Sequence, residues 1–192
     1  MDTTVDPRIL RTRKLLMDAF ANLTLRKDFK DITIKDITDE ATVNRSTFYA
    51  HFEDKYELME TCISDNVLKE IGRFLLNYDT INRETISNIF MVLIKFRAEL
   101  EKDLPSQCRR SINLFSSVYE SKIKLVLENM FRTILGKQYT HLDVNSIKVG
   151  ATILSASIYG ATLDWKQNSS LSAEQYIQLA IPFIFQDSVA EN

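Results

Sequence analysis

Arg45, Ser46, Thr47, Tyr49 and His51 put guanidinium, hydroxyl, phenol and imidazole groups within seven residues of one another. Phe48 and Phe52, four residues apart, give the same short segment an apolar inner face if it is helical. Hydrogen-bonding side chains opposite an apolar face are suited to reaching base edges and phosphate oxygens in a DNA major groove. The same pattern suits a helix packed in a hairpin with no nucleic-acid role. Spacing alone leaves both readings open.

Other chemistry finds little support. The two histidines, His51 and His141, have no serine or cysteine nucleophile near them that forms a known pattern. HExxH, GxSxG, P-loop and GxGxxG motifs are all missing. Two Cys and two His offer no metal-ligand spacing, so no enzyme activity, cofactor or metal is expected. Cys62 and Cys108 lie in helical patterns and read as buried or half-buried thiols. Charge gives no help to nucleic-acid binding: the net formal charge is −2, and residues 1–60 hold ten basic against twelve acidic side chains. A DNA-reading role therefore requires those acids to lie away from the DNA. Arg8, Arg11, Arg13 and Lys14 form the one local positive patch.

Helices must position these groups. Four glycines and three prolines in 192 residues leave too few turns for a many-stranded sheet and point to an all-α chain. Asp6-Pro7 starts a first helix running to about Leu25, with Leu16, Ala19, Phe20 and Leu23 on one face. Thr33-x-x-Asp36 opens a second helix carrying Ile34, Ile37 and Ala41. Thr42-Val43-Asn44 interrupts it, and Asn44 is placed to cap a third from Arg45 to about His51. These two short helices make a helix-turn-helix. A longer helix follows from Asp54 to about Asn77, and others over 86–101, around 112–118, and over 123–134. No apolar run reaches the ~20 residues of a membrane helix, and no leader-like segment opens the chain, so a soluble, cytoplasmic protein is expected.

Towards the C-terminus, Ile147, Ala151, Leu154, Ile158, Ala161 and Trp165 recur at alternating spacings of four and three, an apolar seam on a helix from about Asp143 to Lys166. Gly150, Ser155, Ala156, Ser157 and Gly160 permit close helix approach. Ser172-x-x-Gln175 caps a last helix with Ile177 and Ile181. This pair can be an intramolecular core or an interface. Phe74, Phe90, Phe96, Phe115, Tyr119 and Phe131 are candidate walls of a cavity, although aromatics at helical spacing also make plain core. Arg109 and Arg110 could neutralise an acidic ligand or lie in solvent.

The stretch Ile34-x-x-Ile37-x-x-x-Ala41-x-Val43-x-x-Ser46-Thr47-Phe48-Tyr49-x-His51-Phe52-x-x-Lys55-x-x-Leu58 resembles the N-terminal domain of the TetR family of transcriptional regulators. The detailed match covers about residues 8 to 60 and departs at Thr42, where the family usually has glycine. The resemblance implies about nine helices. A three-helix DNA-binding domain would occupy 1–53 and a helical ligand-binding and dimerisation domain 54–192. It implies that Arg45 and Thr47 contact bases, with Ser46 beside them, and that Tyr49 and His51 reach phosphates. Thr33 and Lys35 would hold the backbone, and Lys55 would bind a phosphate at the next helix's N-terminus. It further implies a homodimer formed through the last two helices, an operator whose half-sites lie roughly 34–36 Å apart, and a small-molecule effector that releases a repressor. A helical protein of the same fold that binds a protein partner is the alternative expectation.

Overall fold

The computed structural model of the chain describes residues 6–75, 78–102 and 109–185. These form nine α-helices, one 3-10 turn and no strand. They are α1 (Pro7–Thr24), the 3-10 turn Phe29–Asp31, α2 (Ile34–Ala41), α3 (Arg45–Tyr49), α4 (Lys55–Glu70), α5 (Gly72–Leu75), α6 (Arg83–Lys102), α7 (Arg109–Gln138), α8 (Val144–Asn168) and α9 (Ala173–Ile184).

Local signals start the helices where the sequence places them. The Asp6 carboxylate accepts from the Arg8 N–H at 2.8 Å, with Pro7 at the first helical position. Thr33 with Asp36, and Ser172 with Gln175, each form a reciprocal capping box. Asp143 accepts from the N–H groups of Asn145 and Ser146. Two expectations fail. The helix expected from Asp54 to Asn77 stops at Glu70, and a short α5 begins at Gly72. Glycine is a poor helix former, and it sits at the break; Leu76 and Asn77 lie outside the described residues. The two helices expected over 112–118 and 123–134 are one, because Phe115, Ile123, Leu127, Phe131 and Ile134 continue a single buried stripe with no breaker between them. Leu104-Pro105, Cys108 and the side chains of Arg109 and Arg110 lie outside the described residues.

The chain divides into two compact units. The first comprises the described residues within 1–66 and 102–119, the second those within 67–101 and 120–192. The start of α4 belongs to the first unit because Leu58, Met59 and Ile63 are buried and α1 holds it through side-chain hydrogen bonds. The core of the first unit centres on Phe29, whose ring meets Phe20, Tyr56 and Phe115 edge-on at 5.1–6.0 Å. In the second unit, Phe90 stacks on Tyr176 at 5.8 Å and meets Trp165 edge-on, and Ile86, Leu127, Ile158 and Ile181 are buried.

Candidate nucleic-acid interface

α2 ends in a reverse turn whose geometry sets α3. The Val43 N–H donates to the Thr38 carbonyl at 3.0 Å and the Thr42 N–H to the Asp39 carbonyl at 3.2 Å, the two bonds of a Schellman ending. That motif needs a left-handed residue, and Thr42 takes the position with φ 55° and ψ 45°. Among the described residues it is the one non-glycine with positive φ. α3 then lies with Phe48 fully buried, packed against Phe52 at 5.9 Å and edge-on to Tyr49 at 5.5 Å.

The opposite face is open. Arg45 and Ser46 are exposed and Thr47 is half-buried. Arg45 reaches along α3 to the Tyr49 hydroxyl at 3.2 Å, and its guanidinium lies 5.6 Å from the centre of that ring. The pair holds a planar five-donor fork over an exposed aromatic, a shape suited to a base edge or a phosphate. Asn44 is a residue that sequence reading assigned to capping. Its backbone carbonyl accepts from Thr47 and Phe48, but its side chain makes no cap. The carboxamide stands exposed at the head of α3. The default role of asparagine before a helix hid this, and no sequence signal would have separated the two uses.

The remaining predicted contacts fare differently. Lys35 is exposed and pairs with Asp39 one turn on; that hydrogen bond, then the attraction of the Asp39 charge, raises its pKa. The Thr33 hydroxyl is engaged with Asp36, whose carboxyl is held well below the usual carboxylate range by the Thr33 N–H, then Lys27, then the Thr33 hydroxyl. The His51 side chain is half-buried, and its carbonyl is held by Arg13. Lys55 is a correction. Its ammonium turns inward and donates to the carbonyls of Ile32 (2.8 Å), Phe29 (2.9 Å) and Lys30 (3.3 Å), over the face of Phe29. Desolvation by burial lowers its pKa. A cation with three carbonyl partners ties the 3-10 turn to α4 and is not offered to a phosphate.

Much of the acid excess of the first unit goes to helix ends. Asp6, Asp36 and Asp54 cap α1, α2 and α4, Glu57 accepts from the Glu53 N–H, and Glu40 pairs with Arg26 at 2.7 Å. Only Arg45 of the ten basic residues in 1–60 lies on α3.

Two further sets of predicted residues are placed otherwise than expected. Of the expected cavity walls, Phe115 and Tyr119 belong to the first unit, and burial pushes the Tyr119 phenol up to about 12. Phe90, Phe96 and Phe131 are buried in the second unit, and Phe74 is 51% exposed. The expected interface seam faces the chain's own core: Ala151, Leu154, Ile158, Ile177 and Ile181 are buried, Ile147 lies toward Gly136 of α7, and the Trp165 indole donates to the Leu171 carbonyl at 3.0 Å beside a half-buried Ala161. The open apolar stripe is on other faces of the same helices. It comprises Val149 and Ile153 (58% exposed) with Ala156 and Gly160 on α8, and Leu179 (64%) and Phe183 (91%) on α9.

Among the described residues no helix is long and apolar enough to cross a membrane, and no cluster of His, Cys, Asp and Glu could hold a metal ion. Residues 16–62 match the family model described as bacterial regulatory proteins, tetR family. Over 60 residues the chain is 43% identical to the uncharacterized HTH-type transcriptional regulator YxbF of Bacillus subtilis (strain 168). The match takes in 31% of this chain and spans only 16% of that relative's length. Solved structures share the fold over nearly the whole chain. A TetR transcriptional regulator from Streptococcus agalactiae 2603V is 22% identical with a TM-score of 0.55, covering 94% of this chain and 97% of its own. The dihydroxyacetone kinase operon activator DhaS is 18% identical with a TM-score of 0.54, covering 91% and 94%. The TetR family repressor AlkX from Dietzia sp. strain DQ12-45-1b is 16% identical with a TM-score of 0.56, covering 90% and 95%. Residues 16–62 thus carry a helix-turn-helix segment similar to that of bacterial regulatory proteins of the tetR family, and the chain shares its all-helical fold with solved structures of that kind.

Proposed function

We propose that this chain is a homodimeric transcriptional repressor that reads a two-fold operator with α3 of each copy and is released by a small molecule. The observation that carries the reading is the outer face of α3. Asn44, Arg45, Ser46 and Tyr49 are exposed there, opposite a fully buried Phe48, on a helix fixed by the Schellman ending of α2. Arg45 and Thr47 take the base contacts, with Asn44 and Ser46 beside them. Tyr49, His51, Thr33 and Lys35 position the DNA backbone. A near-neutral first unit draws little on bulk charge, so specific affinity depends on two heads bound together, in adjacent major grooves roughly 34–36 Å apart. The open apolar stripe of α8 and α9 supplies the face for a second copy.

Fluorescence anisotropy with DNA from upstream of the chain's own reading frame tests this. Arg45→Ala and Thr47→Ala each cost about 1–3 kcal/mol of specific binding and relax base preference locally. Unchanged operator affinity in both variants rejects α3 as the reading element. AlkX is named a repressor and DhaS an activator, so the sign of control is measured separately. Transcription from the same DNA falls when the protein is added if it represses.

A further inference from the structure

Several basic side chains of the first unit are spent inside it. Arg26 pairs with Glu40 at 2.7 Å, Lys27 with Asp36 at 2.9 Å, and Lys35 with Asp39. The Arg13 guanidinium and the Lys55 ammonium go to backbone carbonyls. Arg45, the basic residue of α3, has a neutral partner instead: its guanidinium donates to the Tyr49 hydroxyl at 3.2 Å. Among the described residues no carboxylate pairs with Arg45. Its charge is held in place without being answered.

Tyr49 is itself held. Its ring meets the fully buried Phe48 edge-on at 5.5 Å, while 48% of the residue stays exposed. The Arg45 guanidinium lies 5.6 Å from the centre of that ring. A spacing of four residues puts the two side chains on one face of α3. A long side chain loses rotamer freedom when a ligand fixes it, and one already lodged on a ring and a hydroxyl loses less. The phenol oxygen accepts from Arg45 and keeps its own proton to donate, for instance to a phosphate oxygen.

We propose that Arg45 reads a guanine in each half-site, donating to its O6 and N7 in the major groove, and that Tyr49 is the positioning residue that aims it. A guanidinium offers donors only. Guanine presents two acceptors side by side on its major-groove edge. Adenine has an amino donor in place of one of them, cytosine presents an amino donor, and thymine has one acceptor beside a methyl group. A planar fork of donors therefore selects guanine. This rests on α3 as the reading element proposed above. It adds the base that the element recognises, and it makes Tyr49 the support of a base contact as well as a contact to the DNA backbone.

The test uses the full chain and a DNA duplex library with a randomised centre. Selection by the parent chain enriches a two-fold site with a guanine fixed at symmetry-related positions. Selection by Arg45→Ala enriches the same site with that guanine lost and the other positions kept. In fluorescence anisotropy on the enriched duplex, 7-deazaguanine at that position removes the N7 acceptor and keeps the base pair. It weakens binding of the parent chain by about tenfold and leaves Arg45→Ala unaffected. Tyr49→Phe keeps the ring and deletes the hydroxyl. It lowers the preference for guanine over adenine by about threefold or more, with circular dichroism unchanged. The same guanine selected by Arg45→Ala, or 7-deazaguanine tolerated by the parent chain, overturns the guanine contact and leaves α3 to read DNA by other residues. Arg45→Ala weakening every duplex alike, with a salt slope about one unit shallower, makes Arg45 a phosphate contact and refutes the proposal. Weaker binding by Tyr49→Phe with an unchanged ratio of guanine to adenine removes Tyr49 as the support. A library from which the parent chain enriches nothing refutes the operator reading itself, and the guanine contact with it.

Discussion

The Arg13 guanidinium donates to the His51 carbonyl at 2.9 Å across 38 residues of sequence, closing the segment after α3 onto α1. The same group reaches the Thr61 hydroxyl at 3.3 Å and lies 4.2 Å from the centre of the Phe52 ring. α3 is five residues long and cannot hold its own orientation. Arg13, from the expected positive patch of α1, is instead the bolt that joins α1, α3 and α4. Arg13→Ala lowers the stability of the chain by about 1–3 kcal/mol in urea denaturation and weakens operator binding further than that loss explains. Arg13→Lys recovers only part, because one ammonium cannot serve carbonyl, hydroxyl and ring together. Equal stability in Arg13→Ala and the parent chain would remove the bolt.

Lys55 makes a prediction that separates clamp from phosphate contact. A lysine that neutralises a phosphate lowers the salt slope of binding by about one unit when removed. A lysine that ties the carbonyls of Phe29, Lys30 and Ile32 to α4 lowers stability and leaves the slope alone. Lys55→Met therefore costs about 1–3 kcal/mol in denaturation, with an unchanged dependence of log affinity on log salt. A slope one unit shallower, with stability intact, would return Lys55 to the DNA.

The turn at Thr42 stores strain. A β-branched residue in the left-handed region costs about 1–2 kcal/mol, and glycine there gives back roughly 0.5–1 kcal/mol of that through unfolded-chain entropy. Thr42→Gly is thus expected to stabilise the chain by about 0.5–1 kcal/mol with the same fold by circular dichroism. A loss of stability would mean that the threonine side chain holds something the glycine cannot.

What the sequence made legible is local. Asp6-Pro7, Thr33 with Asp36, and Ser172 with Gln175 act through bonds within one helical turn, so their spacing alone places helix starts. The buried Phe48 and the open Arg45 of α3 follow from one periodicity. What was hidden depends on partners far along the chain. Nothing near Lys55 or Arg13 says that carbonyls 23 to 38 residues away will take the charge. α8 fails for another reason: Leu154 and Ile158 lie on one side and Val149 and Ile153 on another. A helix apolar on several sides has no inward face that its own sequence can name.

That ambiguity on α8 sets the last prediction. Leu154 and Ile158 are buried in the protomer, so a glutamate at either place puts a charge in the core. Leu154→Glu should cost several kcal/mol or unfold the chain, whatever the oligomeric state. Ile153→Glu and Phe183→Glu alter the open stripe instead and leave the protomer's circular dichroism and melting of the isolated subunit unchanged. Gly160 sharpens the contrast, since a Cβ there meets no heavy atom within 4 Å in the protomer. Gly160→Leu is therefore tolerated by the fold but keeps two helices from crossing closely. Sedimentation velocity of the parent chain should give a dimer with an interface on the order of 2,000 Å². Ile153→Glu, Phe183→Glu and Gly160→Leu should give folded monomers. Each of these loses operator affinity steeply, because a single head binds one half-site and forfeits the gain of two linked ones. A persistent dimer in Ile153→Glu and Phe183→Glu would place the interface elsewhere. Folded monomers that bind the operator as well as the parent would show that one head suffices.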